Sequence, residues 1–137
     1  MATTTTTESS GFDLALSAEQ QLVQRTARDF AREKVLPQAA AIDEHKKVPR
    51  ELIDQMGKLG FMGIDVPERY GGSGMDRLTY MLVLEEINRA CASTGVVLCT
   101  HVSLGIEPIL LFGTDAQKEK WIPDLARGQR KIGRAHV

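Results

Sequence analysis

The chain has 137 residues, an ordinary length for one domain, and 42% of them are apolar and 26% charged. Lysine and arginine number 17 against 18 aspartates and glutamates, a net charge of -1. That balance argues against a nucleic-acid or anionic-membrane binder, which would carry a basic excess. Two cysteines, Cys91 and Cys99, exclude a disulfide scaffold and fit a reducing compartment.

Residues 1–11, MATTTTTESSG, read as a disordered Thr-rich tail. The tail has neither the charged and apolar regions of a secretory signal nor the arginines of a mitochondrial transit peptide, so the expected location is the cytoplasm rather than the mitochondrial matrix. Ser17 and Gln20 form a capping box, and Leu22, Val23, Ala27, Phe30 and Ala31 recur behind it at helical spacing. The pattern predicts a helix over 18–35, ended or kinked by Pro37, with a short helical piece over 38–45. Pro49 suits the first turn of the next helix, whose buried stripe is Leu52, Ile53, Met56 and Leu59 and whose stop is Gly60. Residues 61–76, FMGIDVPERYGGSGMD, alternate briefly through Met62, Ile64 and Val66 and predict an extended run into a glycine-rich loop.

Asp76 caps a helix expected over 77–92 with Leu78, Met81, Leu82 and Glu85 on one face, broken by Ser93, Thr94 and Gly95. A more apolar helix follows over 96–111, bent or interrupted near Pro108 and stopped by Gly113. Its apolar run carries His101, Glu107 and Pro108, which favours a buried helix over a membrane span. Thr114 and Gln117 form a second capping box, opening a last helix through Trp121. No useful strand pattern appears. The expected fold class is all-α, a bundle of about six helices.

Several residues invite a chemical reading. Cys91, Cys99 and His101 match no common zinc spacing, and no metal site is expected. Glu85 and Glu86 point about 100° apart on a helix, so they do not form one acid–base site; one is expected in solvent and the other at a helix interface. The loop Tyr70 to Gly74 resembles a phosphate cradle but lacks the Lys and Ser/Thr of a Walker sequence, and a tight connection is the plainer reading. On the helix 96–111, with Val96 at zero, Val97 falls at about 100°, Thr100 at about 40° and Leu104 at about 80°. That face either lines an apolar tube for an acyl chain or packs into the core, and periodicity alone favours the core.

LSAEQ at 16–20, GFMGIDVPERYGGSG at 60–74, LEEI at 84–87, STG at 93–95 and SLG at 103–105, followed by Pro108-Ile109, Phe112-Gly113, Gln117-Lys118 and WIP at 121–123, resemble the N-terminal helical domain of the acyl-CoA dehydrogenase family. The resemblance runs from Phe12 to about Gly128 and is nearest the short-chain, butyryl-type branch. It assigns residues 12–131 to that domain. It implies an FAD-dependent α,β-dehydrogenation of an acyl-CoA thioester, in fatty-acid or branched amino-acid breakdown, with an electron-transferring flavoprotein as acceptor and a homotetramer as the full-length form. It also puts Val96, Val97, Thr100 and Leu104 on one wall of the acyl pocket, as substrate-binding residues.

The family continues into a β-barrel and a second helical domain that supply the flavin contacts and the catalytic carboxylate. Neither is expected in this chain, so no catalytic or cofactor-binding residue is assigned, Glu85 and Glu86 included, and the chain alone is expected to be inactive. Residues 132–137, IGRAHV, can be encoded by a string that coincides with a widely used sequencing adapter, and the expectation is a truncated chain with a non-native end; any other codons in the coding DNA would refute it. The other reading is a non-catalytic helical module that binds partners or acyl-CoA.

Overall fold

In the computed structural model, which describes residues 15–131, the chain is helical throughout, with no strand among the described residues. The expectations for the tail over 1–11 and the end over 132–137 lie outside the described residues. Seven α segments join into a smaller number of continuous rods.

Helix α1 (Ala18–Phe30) starts on the expected capping box: the Gln20 N–H donates to Ser17 Oγ at 3.1 Å, and the Ser17 N–H to Gln20 Oε1 at 3.0 Å. The chain then passes through a π-helical turn (Ala31–Val35) and a 3-10 turn (Leu36–Gln38) into α2 (Ala39–His45) without a break. Pro37 therefore does not end the helix. The Leu36 N–H reaches the Ala31 carbonyl five residues back, which widens the backbone where the proline ring would meet the preceding turn.

Helix α3 (Arg50–Lys58) buries Leu52, Ile53 and Met56. Leu59 is 42% exposed and lies off the expected stripe, because the helix has already ended there and Gly60 turns the chain at φ 78°. The segment that follows is not extended. It forms two 3-10 turns, Phe61–Gly63 and Glu68–Tyr70, and Phe61, Met62, Gly63 and Ile64 are all buried, with no alternation.

Helix α4 (Arg77–Ala90) starts on Asp76, whose Oδ1 accepts from the Thr79 N–H and the Thr79 hydroxyl, both at 2.7 Å. Of the face expected to pack, only Leu82 is buried; the rest of it is the outer side. Leu78 and Met81 are about half exposed and Glu85 lies in solvent, whereas Tyr80, Val83, Glu86 and Ile87 are buried. α4 carries apolar residues on both sides, and the side that meets α1 and α5 is chosen by those neighbours. The break after α4 falls at Cys91, in extended backbone, and Ser93 to Gly95 already belong to α5 (Ala92–Thr100). α5 continues through a π turn (His101–Ile106) into α6 (Glu107–Phe112), where the Glu107 N–H bonds the Val102 carbonyl just ahead of Pro108. The arrangement repeats that before Pro37.

Helix α7 (Asp115–Ala126) opens on the Thr114 capping box. It runs past Pro123, beyond the expected end at Trp121, because Ile122, Leu125 and Ala126 in its last turns are buried against Val66, Tyr70 and Ile106. A larger core joins α1, α3, α4 and α5, with Phe30 edge-on to Phe61 at 6.1 Å.

Glu86 is the buried member of the carboxylate pair, 4% exposed, with the Arg28 guanidinium 2.8 Å away across α1 and α4. That hydrogen bond holds its carboxyl below the ordinary glutamate range, against the opposing effect of burial. A depressed folded pKa contributes stability that is complete above the unfolded value, near pH 4.5, and is lost as pH falls through the folded one. Glu86→Gln should therefore lower unfolding free energy at neutral pH by about 1–2 kcal/mol and flatten its decline below about pH 4.5, read by urea denaturation across pH.

Candidate functional site

The rod α5 to α6, Ala92–Phe112, has 21 residues, and an 18-residue window within it has a mean hydropathy of 1.8. It is long and apolar enough to cross a bilayer by length and composition. Its packing identifies it as the central helix of the domain: Leu98, Val102 and Ile106 are at most 1% exposed in the core. The opposite side is equally apolar and open: Val96 is 56% exposed and Leu104 69%. Val97 and Thr100 lie between them, half-buried.

Of the four residues singled out from sequence, Val96, Thr100 and Leu104 therefore stand on an open surface, whereas Val97 packs its half-buried side chain against the core. The Thr100 hydroxyl donates to the Val96 carbonyl at 2.8 Å, so this polar side chain has its proton committed to its own helix and offers the surface little polarity. A π turn over His101–Ile106 locally widens the helix between Thr100 and α6. Leu111 and Phe112 are also exposed, and the seven-residue step from Leu104 to Leu111 was a signal available in the sequence. Open apolar faces of this kind mark surfaces that another part of a protein or a ligand covers.

Arg77 ties this helix to the glycine-rich segment. Its guanidinium lies 2.8 Å from Asp65 and 2.7 Å from Glu107, above the Tyr80 ring. Burial pushes the Asp65 carboxyl up, with Arg77 opposing. The glycine-rich loop is not a phosphate cradle. The N–H groups of Gly71, Gly72, Ser73, Gly74 and Met75 donate to the carbonyls of Glu68, Pro67, Gly63, Val66 and Ile64 in turn. No N–H in that run is left for an anion, so the described residues do not fit the pyrophosphate of a flavin there.

Cys91 is buried at the α4–α5 junction and Cys99 half-buried. Among the described residues no group of three or more His, Cys, Asp or Glu side chains is placed to hold a metal. His101 is 1% exposed, and its Nε2–H donates to the Leu125 carbonyl at 2.9 Å. Burial lowers its pKa, with the hydrogen bond opposing. The unfolded state thus takes up the proton first, so His101 contributes stability above about pH 6.5 that is withdrawn as pH falls. Stability should decline between pH 7 and 5 with a slope of at most about 1.4 kcal/mol per pH unit from this group, and His101→Leu should abolish that slope in the same titration.

Residues 17–129 match the family model "Acyl-CoA dehydrogenase, N-terminal domain". The chain belongs to that family. It is 46% identical over 113 residues to an acyl-CoA dehydrogenase of Bacillus subtilis, covering 82% of this chain and 30% of the relative. It is 44% identical over 121 residues to the short-chain specific acyl-CoA dehydrogenase of Clostridium acetobutylicum, covering 88% of this chain and 32% of the relative. The structure of butyryl-CoA dehydrogenase from Megasphaera elsdenii superimposes with a TM-score of 0.80 at 37% identity, covering 88% of this chain and 32% of that one. The chain thus spans about 30% of the length of the relatives it matches.

Proposed function

We propose that this chain is the N-terminal portion of an FAD-dependent acyl-CoA dehydrogenase acting on short-chain thioesters, and that α5 and α6 supply one wall of its acyl pocket through Val96, Val97, Thr100 and Leu104. The observation that carries the reading is the open apolar face of a helix whose other face is core, in a chain of this family. A solvated stripe of valine and leucine is unfavourable in water, and a hydrocarbon chain is its chemical complement. The chain's own residues position and desolvate the substrate's alkyl end; the flavin, held by residues outside this chain, would supply the redox chemistry. Glu85, in solvent, and Glu86, paired with Arg28, are not offered as the base. Acyl-CoA, an electron-transferring flavoprotein and a homotetrameric assembly belong to this reading as partners. The free cysteines support a reducing, cytoplasmic setting.

The test is a graft. Residues 17–129 replace the matching part of the Bacillus subtilis relative, and the product is assayed beside the 137-residue chain. The graft should bind FAD and reduce a dye with butyryl-CoA, while the chain alone should stay colourless and inactive, since a wall cannot replace a base of tuned pKa. A graft that folds and holds flavin but oxidises no saturated acyl-CoA would overturn the proposal.

A further inference from the structure

Three segments far apart in sequence meet at one guanidinium. Arg77, in the first turn of α4, places Nη1 2.8 Å from Asp65 Oδ2 and Nη2 2.7 Å from Glu107 Oε1, with its Cζ 5.7 Å from the centre of the Tyr80 ring. Asp65 lies between the buried Ile64 and Val66, and its own side chain is 10% exposed. That end of the link is therefore fixed to the core. Burial and the neighbouring Glu107 carboxylate both work against charge on Asp65, and Arg77 opposes them. Glu107 is the other end, at the first residue of α6, and its N–H closes the π turn on the Val102 carbonyl. A planar guanidinium suits this task, since its separate N–H groups bond two carboxylates at once in fixed directions.

The buried side of the π turn is held by Val102 and Ile106 in the core and by the His101 bond to the Leu125 carbonyl. On the other side, the Thr100 and Ser103 hydroxyls bond carbonyls of their own helix, those of Val96 and Cys99, and so do not anchor it to a neighbouring element. Glu107, three positions after the exposed Leu104, does. A π turn amounts to one residue inserted in an α-helix, and its loss would rotate Leu104 against the residues beyond it by about 100°, the angle of one helical residue. We propose that Arg77 is a positioning residue for substrate selection: through Glu107 it fixes the π turn, and with it the setting of Leu104 in the acyl wall, without touching the substrate. The assignment rests on the acyl-wall reading of Leu104. A wall that holds still discriminates between chain lengths by fit, and one that yields admits longer chains at little cost.

Amide hydrogen exchange of the 137-residue chain tests the clamp, and the grafted enzyme tests its consequence. Arg77→Gln should speed exchange over 103–107 at least about tenfold, while 83–87 in α4 keep their protection. Glu107→Ala should do the same although Arg77 keeps Asp65, and the double variant should exchange no faster than Arg77→Gln, because both changes remove one link. In the graft, Arg77→Gln should raise kcat/KM for octanoyl-CoA relative to butyryl-CoA at least about fivefold, through KM, with kcat for butyryl-CoA within about twofold. Lys46→Gln, which breaks an exposed pair with Asp43, should change neither exchange nor profile. Unaltered exchange over 103–107 in Arg77→Gln would overturn the clamp. Faster exchange with an unchanged chain-length profile, or an equal fall on every substrate, would overturn the role in selection. An unsubstituted graft that holds flavin but turns over no acyl-CoA would defeat the acyl-wall reading, and with it the role in selection, while exchange would still decide whether Arg77 fixes the turn.

Discussion

Thr100→Leu in the grafted enzyme is expected to lower kcat/KM for octanoyl-CoA by about tenfold relative to butyryl-CoA. Thr100 sits in the middle of the open face, and its hydroxyl is bonded to the Val96 carbonyl. The substitution removes that bond and adds bulk toward whatever the face contacts. If the far carbons of the acyl chain lie there, each excluded methylene forfeits about 0.8 kcal/mol of burial, and crowding adds about 1–3 kcal/mol. Butyryl-CoA ends before the obstruction and is spared. Kinetics on a series from four to eight carbons reads the difference directly. An unchanged chain-length profile with a lowered melting temperature would remove α5 from the pocket and leave it as a helix that another domain merely covers.

Gly72→Ala should destabilise the domain by about 3 kcal/mol or more, whereas Gly74→Ala should cost only about 1–2 kcal/mol. A Cβ at Gly72 would lie 2.6 Å from the Val66 carbonyl carbon and closer still to its oxygen and Cβ. Those atoms belong to the main chain and core of the same loop and have nowhere to move. At Gly74 the strain is conformational, φ 64°, and the nearest atom is the Glu68 Cγ at 3.2 Å, in an exposed side chain that can swing away. Urea denaturation should show the midpoint falling far more for Gly72→Ala at an unchanged slope. Equal losses at the two positions would mean that the loop relaxes around the new methyl and that glycine is needed only for its dihedral freedom.

The loop shows why some of the site was legible in the sequence and some was not. Four glycines near Tyr70 signalled a tight connection. Which N–H groups face outward is a different question, and its answer depends on Gly63, Ile64 and Val66 returning their carbonyls to the loop. No local pattern encodes that return. The same limit applied to α4, where Leu78 and Met81 looked like part of a packing face because they are apolar at helical spacing. Tyr80, Val83 and Ile87 are too, and α1 and α5 decided between the two faces.

The amino-acid sequence by itself determined the helices, their caps at Ser17, Asp76 and Thr114, and the family. These follow from hydrogen bonds and side-chain spacings spanning a few residues, which the chain carries whether or not it is packed. Only the tertiary structure decided the continuation of the helices through Pro37, Pro108 and Pro123, the burial of Glu86 rather than Glu85, and the exposure of Val96 and Leu104. The helix Ala92–Phe112 carries apolar residues on both sides, so its periodicity contained no instruction about which side to hide. The neighbours that happen to surround it bury one side, and the side they leave open is where an acyl chain is proposed to lie.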